Sequence, residues 1–296
     1  MEESSYPARP VLGRLLALDV RPTRPLTLIG PAAAALCGAL ASGGLDGRAQ
    51  SWVALVLSIL LCDTLIGAWR ALWLHADWRV ALPRNLASAR IWFMLPDDAP
   101  VAFVPRVWRA LTRRIAFARN VIWPLIDSEI IGMLIAGVLA ACIAALFNLA
   151  TFGLTLAALA LALIEAQVSD RNALSLRALI EMTLPWLIAH SAFGAFSWLA
   201  LFFVLLFTLI YRALLGLAQE APERWLTWNN VAQLIIALVL FASNTPVGAA
   251  IVALGLLAQV LWQIHWRTER ATRAYAQHIQ AYILAAMLVV SISLWF

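Results

Sequence analysis

The sequence contains no lysine, so all 21 of its basic side chains are arginines, and charged residues make up only 12% of the chain. A soluble domain typically has about 25% charged residues. Apolar residues account for 63% of the 296 positions, and the mean hydropathy is +0.85. This shortage of charge excludes an ordinary soluble domain and indicates an integral membrane protein.

Motifs of soluble enzymes are also lacking. The chain has no GxGxxG after a strand pattern, no P-loop, no HExxH and no GxSxG. Its three cysteines, Cys37, Cys62 and Cys142, lie within apolar runs, without a CxxC pair or a histidine at ligand spacing. They are typical of small buried hydrophobic residues and do not indicate a zinc site or a disulfide framework.

The formal net charge is +5 and the sequence pI is about 9.7, values that would suggest nucleic-acid binding in a soluble protein. Here the arginines fall almost entirely between apolar segments, where they set topology and meet lipid headgroups. We therefore expect a lipid bilayer and other membrane proteins as partners, and no nucleic acid.

Nine apolar segments have about the length that a membrane-spanning helix requires. They cover roughly 25–44, 50–73, 129–147, 149–168, 176–194, 196–215, 229–244, 246–264 and 277–295. With nine spans, every arginine-bearing connection falls on one side of the membrane. The positive-inside rule assigns that side to the cytoplasm, which gives an N-in, C-out protein of the bacterial inner membrane.

This pattern predicts an all-α fold with a cytoplasmic N-terminal segment at 1–24 and a single transmembrane domain at 25–296. A long cytoplasmic loop at about 74–128 interrupts the domain. Within it, the stretch PRVWRALTRRIAFARNVIW at 105–123 has apolar residues at helical spacing and arginines on the other face. That pattern predicts an amphipathic helix lying in the headgroup region.

The most unusual stretch is LSILLCDTLIGAWRALWLHADWR at 57–79, which places Asp63 inside an apolar run and Arg70 seven residues later. On a helix the two side chains share a face, roughly 10 Å apart along the axis. The pair is either a functional carboxylate kept ionised by its neighbour or a structural ion pair between Asp63 and Arg70. His190 fits a hydrogen-bonded packing residue better than a site residue.

The arrangement resembles the UbiA-type intramembrane prenyltransferase superfamily. Four stretches carry the likeness, beside the span count and the long loops after spans two and six. RPTRPLTLIGPAAAALCGAL looks like that family's first helix, LPWLIAHSAFGAF its fifth, FTLIYRALLGLAQEAPERWLTW the start of its second acidic loop, and QAYILAAMLVVSISL its last helix; they lie at 21–40, 184–196, 207–228 and 280–294.

The resemblance implies a UbiA-like helical bundle that transfers an isoprenoid from its diphosphate, with Mg²⁺ held by two Asp-rich motifs. In an active member, the metal ligands here would be Asp63, Asp77, Glu220 and Glu223, and the diphosphate would be bound by Arg79, Arg84 and Arg224. The chain departs from the first motif, Asn-Asp-x-x-Asp. It has Cys62 in place of the Asn and Ile66 in place of the second Asp, and the second motif keeps only glutamates.

Three functions fit these observations. The first is a prenyltransferase-like protein that has lost transfer and serves as a subunit or accessory of a membrane complex, with a quinone, a pigment or a lipid as bound ligand. The second is a divergent, Mg²⁺-dependent prenyltransferase that acts on a lipophilic aromatic or tetrapyrrole acceptor. The third is a transporter, against which stand the absence of an internal repeat and the few polar positions within the spans.

Overall fold

The structure is a computed structural model that describes residue 26 and residues 28–75, 123–165, 168, 170–219, 222–264 and 269–295. Throughout this part of the chain the regular elements are helices. Outside the described residues lie the N-terminal segment 1–24, residues 105–122 of the predicted amphipathic helix, and Asp77, Arg79, Arg84 and Glu220. Glu223 lies in the first turn of a helix.

The helices follow one another with short connections. In chain order they are α1 Pro31–Ala41, α2 Ala49–Ile59, the π-helical segment π1 Leu60–Leu65, α3 Ile66–His75, α4 Trp123–Phe147, α5 Leu149–Glu165, α6 Asp170–Ala178, the π-helical segment π2 Leu179–Thr183, α7 Leu184–Phe193, α8 Trp198–Gln219, α9 Pro222–Ala242, α10 Pro246–Gln263, α11 Glu269–His278 and α12 Gln280–Ser293.

Each of the nine apolar segments overlaps a helix, so the prediction of an all-helical chain with apolar, membrane-compatible helices is confirmed. Among the described residues, five helices are long and apolar enough to cross a membrane: Ala49–Leu74, Trp198–Leu217, Arg224–Ala242, Pro246–Gln263 and Ala274–Ser293. The apolar helices Pro31–Ala41, Ile131–Phe147 and Leu149–Glu165 are shorter.

Helix α9 begins at Pro222, seven residues before the apolar segment that predicted it. A run of apolar residues predicts only the apolar part of a helix and not a polar first turn that precedes it. The stretch before the apolar segment, ERWLTW, is helical as well. Proline is favoured in the first turn of a helix, because its missing N–H is not needed there.

Two π-helical segments interrupt otherwise continuous helices. The segment π1 joins α2 to α3 and contains Asp63, and π2 joins α6 to α7 and contains Glu181. Pro185, just after π2, has no N–H to offer the carbonyl of residue 181, which explains why the α-helical pattern fails there. Single-turn π segments of this kind occur frequently at functional sites.

The interior consists of two cores that meet along α1 and α7. The first core lies among α2, α4, α5 and parts of α1 and α7, and its buried residues are small or aliphatic, with seven alanines among sixteen. The second core lies among α8 to α12 and parts of α1, α6 and α7. It contains large aromatic side chains, including Trp186, Phe203, Phe207, Tyr211 and Tyr275.

Glycine makes the contact between α1 and α7 possible. A Cβ atom at Gly38 would stand 2.2 Å from the carbonyl oxygen of Trp186, so no other residue fits without moving a backbone. Gly44 is similarly close to the carbonyl of Phe193, at 2.0 Å. Close backbone approach through glycine is a common way for apolar helices to pack when both are in lipid.

Candidate functional site: a buried charge cluster

Arg70, on α3, lies at the centre of a buried group of charged side chains. Its Nε and Nη2 donate to the two carboxylate oxygens of Glu165, at 2.5 and 2.8 Å. Its Nη1 donates to Oε1 of Glu181. The guanidinium therefore bridges the last residue of α5 and the π2 segment, and its two bonds to Glu165 have the bidentate geometry of a strong charge-assisted pair.

Glu181 receives further hydrogen bonds from two other elements. Arg177, four residues earlier, donates from Nε at 3.2 Å, and the Tyr211 hydroxyl on α8 donates to Oε2. We call Arg70, Glu165, Arg177, Glu181 and Tyr211 the charge cluster. Every carboxylate oxygen in it accepts at least one hydrogen bond from within the cluster.

The charge cluster is nearly closed to its surroundings. Glu181 is 2% exposed and Glu165 6%, while the Arg70 and Arg177 side chains are 12% and 19% exposed. A single charge at this depth would be costly, but two cations neutralise two anions whose carboxylate oxygens are all hydrogen-bonded. The cluster thereby links α3, α5, α6 with π2, and α8 into one unit.

Two tryptophans on α3 hold that helix beside the cluster. The Nε1 atoms of Trp69 and Trp73 donate to the carbonyls of Leu159 and Leu163, both at 3.2 Å. The indole of Trp69 also packs against Gly137 on α4, where a Cβ atom would approach it to 2.7 Å. Because the two tryptophans are one helical turn apart, these contacts fix the rotation of α3 about its axis, and hence the direction of Arg70.

The sequence marks Arg70 as a charge inside a span and Glu165 and Glu181 as polar groups near span ends, but it does not pair them. Glu165 and Glu181 stand at or near the ends of predicted spans, a position where a glutamate usually needs no explanation. Their only signal is that each lies within an apolar helix near the same end of the bundle as Arg70. Tyr211 lies in a mostly apolar helix, next to Arg212, and nothing in the sequence pattern indicates that it contacts Glu181.

Besides Arg70, the predicted site residues with described side chains are Asp63 and Arg224. Asp63 is half-buried in π1 and takes part in a polar or electrostatic interaction. Its predicted pairing with Arg70 stays a prediction. Arg224 is exposed at the start of α9, with its guanidinium carbon 6.0 Å from the ring centre of Trp225. Among the described residues, no group of three or more His, Cys, Asp or Glu side chains could hold a metal ion.

A second buried polar group, without formal charge, joins α9 to α10. Gln233 and Gln259 exchange amide hydrogen bonds at 2.8 and 2.9 Å, and Asn230 and Gln263 do the same at 3.0 and 2.9 Å. Asn229 joins the two pairs, and Gln263 donates to the Tyr275 hydroxyl at 2.8 Å. We call these six residues the amide ladder.

His190 is buried near the end of α7 and is hydrogen-bonded, as expected for a packing residue. Its Nδ1 lies 3.3 Å from the carbonyl oxygen of Gly38 and its Nε2 lies 3.0 Å from that of Ala195. It connects α1 to the turn between α7 and α8, at the end of the bundle away from the charge cluster.

Comparison with known proteins gives no relative from which the site could be interpreted. No family model, no curated protein and no solved structure matches the chain. The function must therefore be argued from the geometry of its own residues.

Proposed function

We propose that this protein is a prenyltransferase-like bundle of nine spans, N-in and C-out, that does not transfer prenyl groups. It would serve as a subunit or accessory of a complex in the bacterial inner membrane. A quinone, a pigment or a lipid would be its bound ligand. The apolar helices support the membrane setting; the span count, orientation and family rest on the sequence pattern.

The observation that carries the proposal is that the carboxylates of the charge cluster are already hydrogen-bonded within it. Transfer from a diphosphate requires carboxylate oxygens that are open to Mg²⁺. Glu165 and Glu181 have their oxygens bonded to arginines and to Tyr211. The two glutamates of the charge cluster are therefore not open to Mg²⁺, and Asp63 would have to hold the metal without them.

The outer surface of the bundle supports a role in assembly. Helix α10 has only 22% of its residues buried, and it carries Ile251, Leu254, Leu257 and Leu261 at helical spacing, all at least 45% exposed. Such a surface requires lipid or another apolar helix against it. In a subunit, part of it would contact partner helices.

The test is gentle detergent extraction from the native membrane, followed by size exclusion and mass spectrometry of the proteins and small molecules that co-migrate. The proposal expects a stoichiometric protein partner. In parallel, the purified protein is assayed with Mg²⁺, isoprenoid diphosphates and lipophilic acceptors, and no product is expected.

The alternative, a divergent Mg²⁺-dependent prenyltransferase, makes the opposite prediction. Product would form, and Asp63→Asn would abolish it while Asp46→Asn, in an exposed loop, would not. That result, together with a protein that elutes alone, would overturn the proposed function.

A further inference from the structure

We draw no further inference here: the strongest candidate, the Trp186 indole in the second core, has an Nε1 with no hydrogen-bond acceptor among the described residues, but the side chain is fully buried, and a single donor without room for a ligand beside it makes no site.

Discussion

The charge cluster and the amide ladder are two solutions to one problem, that of polar side chains inside an apolar bundle. The charge cluster links helices far apart in sequence, from Arg70 to Tyr211, with two cations and two anions. The amide ladder links consecutive helices, α9 and α10, with neutral amides. Each ionic hydrogen bond is stronger than an amide one. Removing one partner of an ion pair, however, leaves a buried unpaired charge, which costs far more free energy than a buried unpaired amide.

The difference between the two networks indicates where substitutions should destabilise the fold most. A ladder amide that loses its partner remains neutral, and in a bilayer such interhelical hydrogen bonds average only about 0.6 kcal/mol. A carboxylate that loses its guanidinium is left as an uncompensated buried charge. We therefore expect the fold to tolerate changes in the ladder and to reject them in the cluster.

The largest expected effect is that of Arg70→Met, which keeps the apolar length of the side chain and removes three donors from Glu165 and Glu181. We expect a loss of about 3–5 kcal/mol in the free energy of unfolding, because the buried carboxylate of Glu165 loses its guanidinium and Glu181 keeps only Arg177 and Tyr211. Unfolding by denaturing detergent in mixed micelles measures it, with Arg48→Met as the exposed control. A loss no greater than that of the control would show that the charge cluster carries little stability.

Tyr211→Phe deletes one hydroxyl from the charge cluster and leaves the arginines in place. Since the hydroxyl donates to the buried Glu181 carboxylate, we expect a loss of about 1.5–3 kcal/mol, the range for hydrogen bonds to charged groups. The same unfolding assay applies. Phe207→Leu, also in the aromatic core, is the control for a packing effect. If Tyr211→Phe and Phe207→Leu cause equal losses in the free energy of unfolding in the Arg70→Met background, the role assigned to the hydroxyl is contradicted.

In the amide ladder, Gln233→Leu is expected to lower the free energy of unfolding by only about 0.6–1.7 kcal/mol. The double change Gln233→Leu with Gln259→Leu should recover part of that loss, because removing both partners leaves neither amide unsatisfied. A double-mutant cycle measures the recovery. A loss as large as that of Arg70→Met would remove the contrast between the two networks.

The smallest effect belongs to a carboxylate outside the membrane. The Ser51 hydroxyl donates to Asp46, and together with Arg48 it holds the pKa of Asp46 below its ordinary value. Such a group contributes stability above its unfolded pKa and loses it as the pH falls through the folded pKa. Ser51→Ala should raise the pKa of Asp46 and flatten this acid-side dependence slightly, as measured by melting from pH 3 to pH 7 (roughly the window of a carboxylate). An unchanged profile would contradict the role of Ser51.

Apolarity alone located the helices, because a span of hydrocarbon length leaves a long, unbroken signal in the sequence. It located Asp63 and Arg70 as unusual for the same reason. It did not find the partners of Arg70, since Glu165 and Glu181 are 95 and 111 residues away in the chain and no periodicity links them. The hydrogen bonds of the amide ladder were missed because asparagine and glutamine near a helix end resemble ordinary interfacial residues.

The direction of Arg70 depends on the wide turn of π1. A π-helical turn holds one residue more than an α-helical turn, so it absorbs an extra residue without changing the face that the following helix presents. If the same residues, 60–65, wound as an α-helix instead, everything beyond them would rotate by about 100° relative to α2. Trp69, Arg70 and Trp73 would turn away from their partners together.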